Sequence, residues 1–256
     1  MTRFSKIFTV LVLSSVLSWA ACSNKQKAIT LSEDNRRVGE AYMAKGDYSG
    51  ALRYFLMAAE HYDKDHLLHD DLGKAYVGKK KYDLAIVHFK KSIELNPEYA
   101  PGKNNLGSAY LLAEQWDEAI VVFKELSSNL IYATPQFPLY NLGWAYYKKK
   151  DYEKAIDYYN QSLKTQHGFI LALRGLGLVH KDMNQPEEAL SYFLKAAEKN
   201  PRFPQLYMDL GEIYASLKKY DEAIESYAQV SRIQPNSEIS DQAKARVKDL
   251  MKLITQ

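Results

Sequence analysis

From Leu31 onward the apolar positions repeat with a long period. Glycines stand at 39, 73, 107, 143, 177 and 211, in steps of 34, 34, 36, 34 and 34. Val38, Leu72, Leu106, Leu142, Leu176 or Leu210 precedes each glycine, and Tyr42, Tyr76, Tyr110, Tyr146, His180 or Tyr214 follows three residues later. These positions share one face of a helix. Twelve residues after each glycine comes Ala51, Ala85, Ala119, Ala155, Ala189 or Ala223. Four residues on come the rings of Phe55, Phe89, Phe123, Tyr159, Phe193 and Tyr227. Ala58, Ser92, Leu126, Ser162, Ala196 or Val230 follows three later, which completes the face of a second helix. Polar turns such as Lys45-Gly46-Asp47 join the two. Glycine inside a helix is about 1 kcal/mol worse than alanine. Its recurrence predicts close approach of the second helix, with the alanine twelve residues on as the matching small surface. One such hairpin cannot bury both of its faces, so hairpins must stack.

The period, the ring positions and the closing prolines Pro97, Pro201 and Pro235 resemble the tetratricopeptide repeat. That resemblance implies an all-α, right-handed superhelical solenoid of six helical hairpins. The units are 32–65, 66–99, 100–133, 136–169, 170–203 and 204–237. Residues 238–256 carry one apolar stripe, Ile239, Ala243, Val247, Leu250 and Ile254, and read as a capping helix.

The N-terminus follows different rules. Arg3 and Lys6 precede an apolar run from Ile7 to Leu17, and Trp19-Ala20-Ala21-Cys22 closes it. A basic start, an apolar stretch and a small-residue junction describe a signal peptide over 1–21. The run is shorter than the roughly 20 apolar residues of a membrane-spanning helix. The single cysteine at its end resembles the lipobox of bacterial lipoproteins, although Trp19 stands where that pattern has leucine. The resemblance implies that Cys22 becomes the acylated first residue, with 22–31 as lipidated cysteine and polar tether. Ser23 after it implies the outer membrane, periplasmic face. An ordinary signal peptide cut nearby is the alternative.

Composition narrows the chemistry. The 256 residues are 46% apolar, enough for a sizeable core. Lys+Arg is 34 and Asp+Glu 31, a net charge of +3, and removing 1–21 takes away two of those cations. No nucleic-acid partner is expected from so balanced a chain. One cysteine allows neither an internal disulfide nor a multi-thiolate zinc site. His66 and His69 beside Asp70 and Asp71 imitate a metal pair, but they fall at a helix start with no further ligand cluster. His180 replaces a recurring tyrosine and reads as core. Asp83, Asp117, Glu153, Glu187 and Asp221 recur at one position, just before the second helix, where they suit its dipole. The lysines of 79–81, 148–150 and 218–219 read as solvated turns. No phosphate loop or nucleophile–base grouping appears. The expectation is therefore no enzyme, no catalytic residue, no metal, no cofactor and no small-molecule substrate.

A protein partner remains. In tetratricopeptide proteins the first helices line a groove. Here its expected residues are Asn104, Ser108 and Leu111, then Phe137, Tyr140, Trp144 and Tyr147. Clustered rings there suit an apolar or amphipathic peptide. Six repeats, a lipobox and the junction Asn129-Leu130-Ile131-Tyr132-Ala133-Thr134-Pro135 before Tyr140, longer by two residues than the others, together resemble the pilotin lipoproteins of type IV pilus systems. That resemblance implies a scaffold that binds the pilus secretin and promotes its localisation or multimerisation, held to the membrane by acyl chains on Cys22. A lipoprotein adaptor for outer-membrane barrel insertion or cell-wall synthesis is the alternative.

Overall fold

The structure of the protein is a computed structural model. It describes residues 3–128 and 134–255, with side chains from residue 23 onward. The signal peptide, the lipidation of Cys22 and residues 129–133 of the lengthened junction lie outside the described side chains. The described residues form thirteen α-helices and no strand, so the fold is all-α. Among them no helix is long and apolar enough to cross a membrane.

The chain divides into two compact units, residues 1–115 and 116–256. The first holds α1 (Arg3–Ala44), α2 (Tyr48–His61), α3 (His66–Gly78), α4 (Tyr82–Leu95) and α5 (Ala100–Leu112). Residues 23–31, expected as a tether, are helical and continuous with α1. They contain no glycine or proline that would stop a helix. The second unit holds α6 (Trp116–Ser128), α7 (Gln136–Lys148), α8 (Tyr152–Thr165), α9 (Ile170–Asp182), α10 (Pro186–Lys199), α11 (Pro204–Ser216), α12 (Tyr220–Ile233) and α13 (Glu238–Ile254). Ile239, Val247 and Leu250 of α13 pack with buried Ala243 against Met208, Tyr227 and Val230. Ile254, at the end of the same stripe, is exposed.

Every turn inside a hairpin uses one device. Gly46, Lys80, Glu114, Lys150, Asn184 and Lys218 occupy the same position in successive repeats, and all have φ between 57° and 73°. The next residue's N–H donates to the carbonyl of the recurring Tyr or His, as Lys81 does to Tyr76 (2.9 Å) and Asp151 to Tyr146 (2.9 Å). This is a Schellman closure, for which glycine is the least strained residue. Asp47 and Asp151 then cap α2 and α8 through their side chains. Lys81 and Lys219 stand at the same position of α4 and α12 without a side-chain cap.

The small residues are used differently from the sequence expectation. The alanines twelve residues on are all fully buried. The atoms nearest Gly39, Gly73, Gly143, Gly177 and Gly211, however, belong to the ring sixteen residues on. A Cβ built on Gly73 would stand 2.5 Å from Phe89 Cε1, and one on Gly211 2.5 Å from Tyr227 Cε1. The glycine makes room for an aromatic ring, because a ring reaches further across the hairpin than the alanine methyl. The serines on the second helix are buried and paired. Ser92 Oγ donates to the His66 carbonyl (2.7 Å) and Ser162 Oγ to that of Gln136 (2.8 Å), at the start of each hairpin's first helix.

Candidate partner-binding face

Phe137, Tyr140, Trp144 and Tyr147 fall at steps of three and four along α7, so they share one face. Phe137 is 41% exposed and meets Phe169 edge-on at 5.3 Å. Tyr140, half-buried, meets the same Phe169 ring edge-on at 5.9 Å and tilts over Tyr159 at 5.8 Å. Trp144 and Tyr147 lie 5.4 Å apart, half-buried against the core around Leu173, Leu206 and Phe193. The Lys148 ammonium rests 4.8 Å above the indole. Trp144 and Tyr147 thus do two things at once: they seal the step to the next hairpin and show a surface outward.

Polar groups tie this face to the helices beyond it. Tyr147 O–H donates to Asp182 Oδ2 (2.8 Å). Burial and that carboxylate push the Tyr147 phenol well above its ordinary range. Arg174 of α9 donates to both carboxylate oxygens of Asp209 on α11, at 2.5 and 3.3 Å. Burial raises the Asp209 carboxyl while Arg174 pulls it back down. Lys181 pairs with Glu212 at 3.1 Å.

Asn104, Ser108 and Leu111 lie half-buried on α5 of the first unit. Ser108 Oγ donates to the Asn104 carbonyl (2.9 Å), and Asn104 Oδ1 is buried without a hydrogen-bond partner. The first helices here carry a polar network in place of rings. Asp70, 1% exposed, accepts from Asn105 Nδ2 (2.8 Å) and Tyr99 O–H (3.3 Å) and pairs with Lys74 (2.6 Å). Burial holds the neighbouring Asp71 at about 6. His66 and His69 do not converge on a metal site. His69 Nε2–H donates to the Asp63 carbonyl (2.8 Å), which leaves Nδ1 to accept from His88 Nδ1–H (3.1 Å). No group of three or more His, Cys, Asp or Glu able to hold a metal occurs among the described residues. His180, the residue in the tyrosine position, lies parallel to Tyr192 at 5.3 Å and bonds Gln185 (2.7 Å).

Sequence reasoning missed Tyr159, Phe169, Arg174 and Asp209 as parts of this face. One signal was present: Gly175, a second glycine two residues before the recurring Gly177, marks a place where something bulky enters.

Comparison with known proteins agrees with the fold. Tetratricopeptide-repeat models match residues 68–99 and 138–169, so the chain carries tetratricopeptide repeats. A model described as regulator of microtubule dynamics protein 1-3 matches 183–255. Each match falls well short of half the chain. The photosystem I assembly protein Ycf3 of Prochlorococcus marinus is 28% identical over 86 residues, 32% of this chain and 50% of that protein. A CTR9 homolog of Arabidopsis thaliana is 28% identical over 106 residues, 40% of this chain and 10% of that one. The chain thus spans from a tenth to half of these relatives' length. Among solved structures, PilW, a widely conserved type IV pilus biogenesis factor, superposes with a TM-score of 0.71 at 23% identity, covering 82% of this chain and 97% of PilW. PilF of Pseudomonas aeruginosa gives 0.65 at 18% identity, covering 86% and 98%. At these identities the likeness is one of fold.

Proposed function

We propose that this chain is a non-catalytic lipoprotein scaffold. It is anchored in the outer membrane through acyl chains on Cys22, faces the periplasm, and binds the secretin of a type IV pilus to help it localise and multimerise. The observation that carries the reading is the ring-rich face of α7, where Phe137 stays exposed and Trp144 half-exposed. Rings left partly open along one face of a helix suit a protein partner. The lone cysteine behind an apolar run supports the anchor, since covalent acyl chains add about 0.8 kcal/mol per buried methylene. The fold shared with PilW and PilF across nearly their whole lengths supports the pilus assignment. Secretin strands before barrel closure are a fitting cargo, because an open strand edge binds other chains unless it is covered.

The test is Cys22→Ala. The variant should leave the outer membrane and reduce heat-stable secretin multimers. Normal multimers with a mislocalised protein would end the reading. A second reading, an adaptor for a different envelope assembly, is favoured by the sequence likeness to the photosystem I assembly protein Ycf3. Crosslinking the native protein in envelopes and identifying the captured barrel protein separates the two.

A further inference from the structure

Tyr159 is the most enclosed large side chain of the second unit that also carries a polar group. Its residue exposure is 0%, and its hydroxyl is buried without a hydrogen-bond partner. Phe123 and Phe193, at the equivalent position of neighbouring repeats, have no such group. The ring of Tyr159 leaves α8 and passes between two glycines on two different first helices. A Cβ on Gly143 of α7 would lie 2.6 Å from its Cδ1, and one on Gly175 of α9 2.5 Å from its Cζ. Gly143 meets the root of the ring and Gly175 its tip, so the hydroxyl end of the Tyr159 ring lies buried against α9. Tyr140 tilts over it.

A buried hydroxyl with no partner loses the hydrogen bond that water gave it in the unfolded chain. Phenylalanine would fill the same space without that loss. The hydroxyl makes physical sense if something else accepts its proton when the groove is filled. The charges nearby are already matched: Arg174 by Asp209, Lys181 by Glu212. A carboxylate arriving beside Tyr159 would find Arg174, the cation acting on that phenol, already paired with Asp209, while Lys148 lies further along, over the Trp144 ring. A neutral acceptor suits the site, and the rings of Phe137, Tyr140 and Trp144 require apolar flanks around it. A helical segment uses its carbonyls internally, whereas an extended one offers them outward.

We propose that the Tyr159 hydroxyl is the hydrogen-bond donor of a peptide subsite beneath the α7 face, and that its occupant is a neutral, apolar, extended segment presenting an unpaired backbone carbonyl. The segment reaches the hydroxyl by displacing the Tyr140 ring. This inference rests on the groove reading above and adds to it the class of segment bound.

The experiment is an array of random octapeptides, blocked at both ends or left with a free C-terminus, probed with the full-length chain in detergent. The strongest binders should be neutral, apolar and blocked. Tyr159→Phe should weaken them about tenfold, the value of one net hydrogen bond, while its melting temperature holds or rises. Trp144→Ala should weaken the same peptides. Binding by Tyr159→Phe within about twofold of the parent, a lowered melting temperature, a preference for acidic or free-carboxylate peptides, or an array without binders would each overturn the proposal. If Trp144→Ala abolishes binding and Tyr159→Phe does not, the groove stands and the hydroxyl's role falls. If neither matters, both fall.

Discussion

The Phe89 ring fills the space that a side chain on Gly73 would need. A Cβ there would come within 2.5 Å of the ring edge. Alanine should favour the helix by about 1 kcal/mol, but overpacking a well-filled core opposes it by roughly 1–3 kcal/mol. Both residues lie in packed interior, so the clash should win. Gly73→Ala should lower stability by about 1 kcal/mol in urea denaturation. Adding Phe89→Leu should then cost less in that background than in the parent, because the two residues share one volume.

The left-handed turns predict the opposite sign. Lys80, Lys150 and Lys218 hold φ of 57°, 61° and 59°, a region that disfavours a side chain by roughly 1–2 kcal/mol. Their side chains are largely solvated, so little packing is lost by truncation. Each Lys→Gly change should raise stability by about 1 kcal/mol. Lys79→Gly is the matched control, since Lys79 has φ −86° and gains nothing from glycine. Thermal melts of the four single variants check the contrast.

Much of the fold is legible in the sequence because its packing unit is local. Gly73, Ala85 and Phe89 lie within seventeen residues of each other, and each recurs in register along the chain. Spacing misplaces what the glycine faces, because it locates a helix face without saying how far a side chain reaches across. A second ring contact escapes the sequence for a different reason. Tyr42–Tyr54, Tyr76–His88, Tyr146–Tyr158 and His180–Tyr192 all lie nearly parallel at about 5.3 Å. Val122 and Ser226 interrupt that column, which hides it from a search for invariant positions. At the candidate site, the rings of α7 are readable from helical spacing alone. Arg174–Asp209 is not, since a bond between neighbouring first helices depends on the stacking offset of two hairpins.

The second hairpin carries a pH effect. Burial and the neighbouring His69 hold His88 at about 4, below its ordinary 6.5. The unfolded chain therefore binds a proton between about pH 6.5 and 4 that the folded chain refuses. Stability falls as pH drops through that window. Asp71 works against it. Burial raises its carboxyl to about 6, so the folded chain takes up a proton first, and stability rises as pH falls from 6 toward 3.8. His88→Tyr, the residue found at positions 54, 158 and 192, should keep the parallel ring contact with Tyr76 and remove the acid loss. Urea midpoints between pH 7.5 and 4.5 should then rise toward acid in His88→Tyr. In Asp71→Asn they should fall more steeply than in the parent.

The Arg174–Asp209 pair links α9 to α11 from nearly buried positions, with side chains 19% and 5% exposed. Removing one member of such a pair leaves a charge with neither water nor partner, a loss of about 3 kcal/mol. The two single changes should nevertheless differ in their pH response. Asp209→Leu strands a guanidinium, which cannot shed its charge in any accessible pH range. This site then adds no pH dependence of its own to the variant's stability. Arg174→Met strands a carboxylate already raised by burial and now freed of the cation that lowered it. That carboxylate can take up a proton, so Arg174→Met should regain stability as pH falls below its folded pKa. Combining Arg174→Met with Asp209→Leu removes both charges and should recover most of the loss, since apolar replacement of a buried pair is often neutral. Denaturant titrations at pH 7.5 and 5 distinguish the three. Identical pH slopes for the two single variants would mean that water reaches the pair and that the bond is no more than a surface contact.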